Sequence, residues 1–289
     1  MRYVFLVNSF SLKDKTLDMI KKVDTVCKKR KMDYVIETNS LEQSTEDILN
    51  KYKDSSCVIV AMGGDGIINR VVNGIANTKN VLGFIPLGTG NDFYKTNRED
   101  LETGVNKLDL VKINDKYFIN IACFGIDADI ANESDIIHSK LIPKSQRYNA
   151  GILYHFFKYK ARKLEIDIGD EVFSGRYTTV AVCNAKYYGG GYKIGTYSSL
   201  VDGLVDVYIA EKMSKINMAR LILGMKDGKH EKSKKLKKVS TNKLTIKSEK
   251  EITCNMDGEE LTSKEFNIEV IPLGIEVYYD QELIDELTK

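Results

Sequence analysis

Four consecutive residues, Gly63-Gly64-Asp65-Gly66, have the types and spacing to bind a phosphate group. They follow an apolar run and precede apolar residues at helical spacing. Glycines let backbone N–H groups approach an anion closely, and the N-terminus of a helix adds favourable partial charge. A carboxylate would repel a bare phosphate, so Asp65 fits this role when a cation lies between them. The alternative is a tight strand–helix turn in which the aspartate only caps the helix.

A second glycine-rich turn follows the next apolar run. It comprises Gly88, Thr89, Gly90, Asn91 and Asp92. Neither turn has the lysine–hydroxyl ending of a Walker loop or the spacing of a dinucleotide-binding fingerprint. Neighbouring parallel strands that each end in such a turn place both turns at the carboxyl edge of the sheet, where ligands bind. The pair therefore predicts a ligand site that contains two aspartates.

The elements that must position these turns alternate between strand and helix. Short apolar runs predict strands at Tyr3–Val7, Tyr34–Ile36, Cys57–Ala61 and Val81–Ile85. Apolar residues at helical spacing separate them, as in the segment Glu42–Tyr52. The run Cys57–Ala61 is uninterrupted, which is typical of a strand buried on both faces. This alternation with short loops predicts an N-terminal α/β domain with a doubly wound, mainly parallel sheet.

Beyond about residue 110 the predicted elements are mostly strands separated by turns. They are Lys112–Ala122, Lys163–Ile168, Tyr177–Cys183, Val205–Ala210, Lys243–Lys247, Glu251–Asn255, Glu265–Ile271 and Ile275–Tyr279. This pattern predicts a second, mostly antiparallel, β-sandwich-like domain. We place the α/β domain at residues 1–112, with residues 281–289 returning to it, and the β-rich domain at residues 113–280.

Five motifs, in order, resemble the diacylglycerol kinase catalytic family, and specifically its compact bacterial lipid kinases. They are GGDGIINRVVNG (63–74), GTGNDF (88–93), YFINIA with GIDA (117–128), YGGGY with DGLVD (188–206) and DGE (257–259). NAD kinases share the first motif and sphingosine kinases are related, but the second and fourth motifs favour the lipid kinases. The resemblance implies a kinase that uses ATP and Mg²⁺ to convert diacylglycerol into phosphatidic acid. It also assigns the nucleotide to the first domain and the lipid to the second.

The resemblance also implies catalytic roles for four carboxylates. Asp257 and Glu259 would accept the proton of the lipid hydroxyl and support the catalytic Mg²⁺, because an alcohol is a poor nucleophile without a nearby base. Which of the two is the base stays open. Asp65 and Asp92 would belong to the same carboxylate–water–Mg²⁺ network. Taken without the resemblance, Asp257-Gly258-Glu259 is better explained as an exposed turn between strands.

Two further groups of residues follow from the resemblance. The residues implied for ATP are Asn8, Ser9, Thr38, Gly63, Gly64, Asp65, Gly66, Ile67, Asn69, Arg70, Gly88, Thr89 and Asn91. A second, structural Mg²⁺ would bind at Ser199, Asp202 and Leu204, through one carboxylate and backbone carbonyls. The alternative for that segment is a plain β-turn before a strand.

The sequence departs from the family pattern at two positions beside the phosphates. Ile67 replaces a threonine, and Arg70 replaces a common glutamate. Arg70 would either hold phosphate or weaken nucleotide handling. The departures motivate a non-enzyme alternative, a degenerate regulator that binds lipid or nucleotide, whereas retention of the four carboxylates argues against it. The other enzyme alternatives are a kinase of a sphingoid base or glycolipid, or of NAD.

Composition limits the partners and the compartment. The net charge of +2 does not indicate a nucleic-acid binder, and five widely spaced cysteines indicate core thiols in a reducing compartment. No segment approaches the ~20 apolar residues that span a bilayer. We therefore expect a cytoplasmic protein, peripheral at the inner membrane face, and leave a homodimer open. The lysine-rich segment Lys212–Lys238 is either a basic amphipathic surface that docks on anionic lipid or a solvated face, and His230 within it is not expected to be a ligand.

Overall fold

The computed structural model describes residues 1–12, 15–88, 90–125 and 161–289. Its strands are β1 Arg2–Val7, β2 Asp33–Thr38, β3 Cys57–Gly63, β4 Val81–Pro86, β5 Gly104–Ile113, β6 Lys116–Phe118, β7 Ile121–Gly125, β8 Arg162–Asp167, β9 Val172–Cys183, β10 Tyr187–Tyr188, β11 Tyr192–Lys193, β12 Val205–Glu211, β13 Leu236–Thr241, β14 Lys243–Met256 and β15 Glu259–Tyr279. Its α-helices are α1 Ser9–Leu12, α2 Thr16–Lys29, α3 Thr45–Asn50, α4 Asp65–Ile75, α5 Asp92–Asp100, α6 Lys215–Met225 and α7 Gln281–Thr288, and a 3₁₀ helix covers Lys229–Lys232.

The first four strands form a parallel sheet in the order β2-β1-β3-β4. Because β2 and β3 lie on opposite sides of β1, right-handed crossovers place the connecting helices α2 and α3 on opposite faces. From β1 the chain first adds β2 on one side and then crosses over to add β3 on the other. This change in the direction of strand addition lies at the carboxyl ends of β1 and β3. The prediction of a doubly wound parallel sheet is confirmed.

Helix α4 shows why these segments pack as they do. Its apolar residues recur every three or four positions, and they are buried against β3 and β4. Helix α3, which begins with a capping box between Ser44 and Asp47, lies against α4. A Cβ at Gly74 would lie 2.3 Å from Leu49 Cδ1, so the two helices approach as closely as they do because position 74 has no side chain.

The second half is antiparallel, as predicted, with the strand order β13-β12-β9-β7-β14-β15. Three predicted boundaries were wrong. The strands predicted at 265–271 and 275–279 are one strand, β15, whose pairing with β5 shifts register between Ile271 and Ile275. The segment 112–122 contains the end of β5, then β6 and the start of β7, because Asn114 (φ 53°) forms a turn inside it. The predicted strands at 243–247 and 251–255 are one strand, β14, whose pairing with β15 shifts register between Lys247 and Ile252.

Strand β15 is shared by both halves of the molecule. It pairs antiparallel with β14 and β5, and at Val277 and Tyr278 it also pairs parallel with β4. The helix that follows, α7, packs on α2 and β4. The boundary that we predict at residue 112 falls within β5, which runs alongside β15.

The lysine-rich segment is not a single amphipathic stretch. It contains α6, the 3₁₀ helix and β13, which is an edge strand of the sheet. Among the described residues, no helix is long and apolar enough to cross a bilayer. All five cysteines are buried free thiols, in agreement with the sequence analysis.

His230 is buried between α6 and β12, and its Nε2 donates to the carbonyl of Ile194 at 3.0 Å. Burial lowers the pKa of His230 below its usual value of 6.5. The unfolded chain therefore takes up a proton as the pH falls below about 6.5, whereas the folded protein takes it up only at a lower pH, so stability is lost as the pH falls. We expect the His230→Gln protein to lose less stability than the native protein between pH 7 and pH 5, measured by urea unfolding. Equal losses would contradict this assignment, since every other group is common to both proteins.

Candidate active site

The two glycine-rich turns lie side by side because β3 and β4 are adjacent and parallel. The N–H of Leu87 donates to the carbonyl of Gly63 at 2.9 Å. A Cβ at Gly88 would lie only 2.5 Å from the Cα of Gly64, so this approach requires glycine at position 88. The structure thus brings the two predicted turns together at the carboxyl edge of the sheet.

The side chain of Asp65 links the two turns. It lies at the start of α4, yet it accepts the N–H groups of Asp92 at 3.1 Å and Phe93 at 3.0 Å in the first turn of α5. Asn91 precedes α5 in a left-handed conformation (φ 52°) and bonds to Gly88 instead of capping the helix. Burial raises the pKa of Asp65, and the charge of Asp92 adds to this, while the two N–H groups oppose it. Asp65 is therefore the cap of a neighbouring helix as well as a candidate ligand.

Asp92 is buried and contacts a second element of the site. Its Oδ2 accepts the N–H of Gly190 at 2.8 Å, and Lys95 Nζ lies 3.3 Å from its Oδ1. Gly190 belongs to the glycine run between β10 and β11, in which Gly189, Gly190 and Gly191 all have positive φ. The small β10–β11 hairpin thus packs its turn against the carboxylate of α5.

Asp257 has no free carboxylate oxygen. Its side chain is 4% exposed and accepts three consecutive backbone N–H groups, from Ile119 at 2.8 Å, Asn120 at 3.1 Å and Ile121 at 2.9 Å. With Gly258 it forms a two-residue turn of positive φ between β14 and β15, as predicted from the residues alone, but the aspartate is buried. Burial raises the pKa of Asp257 to about 6, and the three amides limit that rise.

Glu259 is the accessible carboxylate of this turn. Its Oε1 accepts from Arg70 Nε and from Arg70 Nη2, each at 2.9 Å, and both side chains are partly exposed. A Cβ at Gly66 would lie 3.5 Å from the same oxygen. Gly66 and Arg70 are one turn apart on α4, so Glu259 lies over the phosphate-loop face of this helix. Arg70, one of the two residues that depart from the family pattern, is therefore the ion-pair partner of Glu259, a predicted catalytic residue.

The carboxyl ends of β1 and β2 form the other side of this edge. Ser9 donates its N–H to Asn39 Oδ1 at 2.9 Å, and Asn39 Nδ2 donates to Asn8 Oδ1 at 3.2 Å. Thr38 lies opposite Val7 in the parallel register. The sequence analysis missed Asn39, which directly follows β2 but lies three residues beyond the end of the predicted strand Tyr34–Ile36.

Not every side chain implied for ATP points into this edge. Asn69 is buried, and its Nδ2 donates to the carbonyl of Tyr117 at 3.1 Å, so it ties α4 to β6. Ile67 is also buried, with its Cγ2 2.7 Å from where a Cβ of Gly63 would lie. These two side chains therefore support the first glycine-rich turn from its buried side. Thr89, and the GIDA part of the third motif after Gly125, lie outside the described residues.

The turn with Asp202 lies apart from these carboxylates. Asp202 Oδ1 accepts the N–H of Leu204 at 3.0 Å, and Gly203 donates to the buried Asp109 at 2.7 Å. Burial raises the pKa of Asp202, and the charges of Asp109 and Asp206 add to it. Ser199 lies just before this turn, where its hydroxyl accepts the N–H of Val201. No basic side chain forms an ion pair with Asp202 in the part of the chain that the structure describes, so the chemistry of this turn suits a cation.

The main site combines backbone N–H groups for phosphate with a cluster of acidic side chains. Asp65 Oδ2 and Asp92 Oδ2 converge on Gly90, where a Cβ would lie 3.2 Å from the first and 3.8 Å from the second. Two close carboxylates with one nearby lysine suit a divalent cation that also binds phosphate oxygens. Among the described residues, no group of three or more His, Cys, Asp or Glu forms a metal site made by protein alone. The arrangement suits phosphoryl transfer with a cation shared between protein and substrate.

Two family profiles match the chain, and together they span most of its length. The diacylglycerol kinase catalytic domain matches residues 2–115, and the YegS C-terminal NAD kinase beta sandwich-like domain matches residues 120–279. The first covers the two glycine-rich turns, and the second covers the turns with Asp202 and Asp257.

Individual relatives agree with these profiles. A probable lipid kinase of the YegS-like type from Pectobacterium atrosepticum is 30% identical over 234 residues, covering 75% of this chain and 76% of the relative. The diacylglycerol kinase of Bacillus subtilis is 29% identical over 222 residues, covering 70% of this chain and 71% of the relative.

Solved structures show the same fold. A diacylglycerol kinase from Bacillus anthracis superposes with a TM-score of 0.68 at 18% identity, covering 97% of each chain. Another Bacillus anthracis structure reaches 0.74, also at 18% identity, covering 97% of this chain and 96% of the other. The chain belongs to the family of bacterial diacylglycerol kinases and YegS-like lipid kinases.

Proposed function

We propose that this lipid kinase transfers the γ-phosphoryl group of ATP to the free hydroxyl of diacylglycerol and releases phosphatidic acid and ADP. The observation that carries the proposal is the convergence of Asp65, Asp92 and the Arg70–Glu259 pair on two phosphate-binding turns. The relatives named as diacylglycerol kinases support diacylglycerol as the alcohol. A sphingoid base, a glycolipid and NAD are the competing acceptors.

In this proposal Glu259 is the general base. Both bonds from Arg70 go to Oε1, and no other described side chain pairs with the carboxylate, so Oε2 is left to accept the proton of the lipid hydroxyl. The hydroxyl oxygen then attacks the γ-phosphorus, and ADP leaves. Asp257 is less suited to this role because it is buried and its oxygens already accept three backbone N–H groups. Its role is to hold the turn from which Glu259 projects.

Asp65 and Asp92 are the residues that would hold the catalytic Mg²⁺. When bound, the cation neutralises charge on the phosphate oxygens. The backbone N–H groups of the two turns and the N-terminus of α4 would bind the phosphates. Asn8, Ser9 and Asn39, at the carboxyl ends of β1 and β2, would lie beside the rest of the nucleotide. The Asp202 turn, with backbone carbonyls of Ser199 and Leu204, would hold a second cation away from the reacting atoms.

The decisive experiment uses the purified protein, γ-labelled ATP, Mg²⁺ and a total lipid extract, with identification of the labelled product. We expect labelled phosphatidic acid, and the same product from a short-chain diacylglycerol dispersed in water. Label in a sphingoid phosphate, a glycolipid phosphate or NADP would identify one of the competing acceptors. Tight ATP binding with no labelled product would favour the regulator.

The assignment of the base predicts the effect of Glu259→Gln. This change keeps the size of the side chain but removes the proton acceptor, so kcat should fall by ~10² or more without loss of folded protein. Glu260→Gln is the matched control, because Glu260 is the next residue on β15, where alternate side chains point to opposite faces. Near-native activity of the Glu259→Gln protein would remove Glu259 from the mechanism.

Asp257→Asn should act mainly on stability. An asparagine amide group would face backbone N–H donors that now bond to the carboxylate, so at least one buried donor loses its acceptor. We expect the free energy of unfolding to fall by about 1–3 kcal/mol. Urea unfolding measures this loss, and the fall in kcat for the remaining folded enzyme should be smaller than for Glu259→Gln. Native stability combined with a larger loss of kcat would make Asp257 the base.

Arg70 should act through Glu259 and not through ATP. Arg70→Gln removes the two bonds that orient the carboxylate, so kcat should fall several-fold while the KM for ATP stays close to native. Arg70→Lys should restore part of kcat. A large increase in the KM for ATP with little change in kcat would instead assign Arg70 to phosphate binding.

A further inference from the structure

Helix α6 presents apolar side chains to the solvent. Its buried face comprises Met218, Leu221 and Met225, at the spacing of one helix face. On the opposite face lie Ile216, which is 67% exposed, and Leu223, which is 65% exposed, with the exposed Arg220 between them. The outward face is therefore a stripe of two large apolar residues around one cation.

The chain around this stripe is strongly basic. Residues 212–238 contain ten lysine and arginine residues and two acidic ones, whereas the whole chain has 43 basic and 41 acidic residues. Four of these lysines form ion pairs: Lys229 with Asp227, Lys235 with Glu211, Lys237 with Glu171 and Lys238 with Asp206.

Other cations of the segment are not paired in this way. Lys212, Arg220, Lys232 and Lys234 have no acidic side chain within ion-pair distance in the described ranges. Exposed apolar side chains among unpaired cations are complementary to an anionic surface with an apolar interior. A second copy of the same face would bring like charges together, which disfavours self-association.

The C-terminal end of the helix that carries the stripe lies near an element of the candidate active site. Leu221 and Met225, on the buried face of α6, belong to an apolar cluster against which Tyr188 and Tyr192 of the β10–β11 hairpin also pack, and Lys226 Nζ lies 5.9 Å from the centre of the Tyr192 ring. The turn of that hairpin donates the Gly190 N–H to Asp92. The β10–β11 hairpin thus has one side chain near the C-terminal end of α6 and bonds through its turn to a carboxylate of the site.

We propose that the outward face of α6, with Ile216, Arg220 and Leu223, docks the protein on an anionic lipid bilayer. The proposal rests on the proposed function in that the bilayer is the source of the lipid substrate. Ile216 and Leu223 enter the boundary between headgroups and acyl chains, while Arg220 and the unpaired lysines contact anionic headgroups. The lysines of β13 contribute less, because their charges are already offset by neighbouring acids.

The test is flotation of the full-length protein, without ATP, on vesicles of equal parts phosphatidylglycerol and phosphatidylcholine. The double change Ile216→Ser with Leu223→Ser should weaken the apparent affinity by about tenfold or more. Arg220→Gln should weaken it less and should reduce its dependence on salt. Pure phosphatidylcholine vesicles should bind the native protein poorly.

Two matched controls keep the result specific. Leu17→Ser alters a side chain of α2 that is 69% exposed, and the double change Lys235→Gln with Lys237→Gln alters paired lysines. Both should float like the native protein. Native binding by the α6 double variant, an equal loss with Leu17→Ser, or no binding of the native protein would overturn the proposal.

The docking proposal and the proposed function fail in different assays. Phosphorylation of short-chain, water-dispersed diacylglycerol should be unchanged in the α6 double variant, because the site is untouched. Loss of that activity would show that Ile216 and Leu223 support the fold, which would overturn the docking assignment. Absence of the activity in the native protein would overturn diacylglycerol as the substrate while leaving the flotation result intact.

Discussion

The hydrogen bonds from the backbone of α5 to the Asp65 carboxylate are the interaction on which the rest of the site depends. They join the turn after β3 to the turn after β4, and so they fix the spacing of the two glycine-rich turns. Burial raises the pKa of Asp65, and the nearby charge of Asp92 adds to that rise. Such a pair of carboxylates is electrostatically unfavourable on its own, and a shared cation would relieve this repulsion.

The two acidic residues of the Asp257 turn divide two tasks between them. Asp257 is buried and bound by backbone amides, so it orients the turn, whereas Glu259 remains accessible beside Arg70. A side chain that orients a turn must keep its bonds, and a base must be able to exchange its partner for a proton. In the proposed mechanism these two tasks therefore fall to two carboxylates, two positions apart.

The sequence was most informative where local pattern and tertiary structure agree. Cys57–Ala61 predicted a buried strand because it is an uninterrupted apolar run, and the short run Val81–Ile85 predicted a strand that ends at Pro86; β3 and β4 are these strands. The second half was predicted less well, because residues such as Asn114 break a strand through their own backbone conformation. The environment of Lys237 and Lys238 could not be seen either, since their acidic partners are distant in sequence.

Within the site, local pattern identified the two glycine-rich turns but not what each side chain does. The sequence grouped Asp257 and Glu259 with Asp65 and Asp92 only through a resemblance. It gave no sign that Arg70 pairs with Glu259 or that Asn69 bonds to Tyr117, because both contacts join residues far apart in the chain. Pairings of this kind depend on the assembled sheet.

Strand β15 has a consequence for how the molecule is made. It is preceded in the chain by every other described strand, yet it supplies a hydrogen-bonding partner to β4, β5 and β14. During synthesis, β4 and β14 therefore emerge with an open, apolar edge, and neither half can complete its sheet until β15 arrives. Final assembly must follow synthesis of this strand, and both halves then acquire their stability in a single late step. The interval before that step is when the nascent chain is most exposed to aggregation.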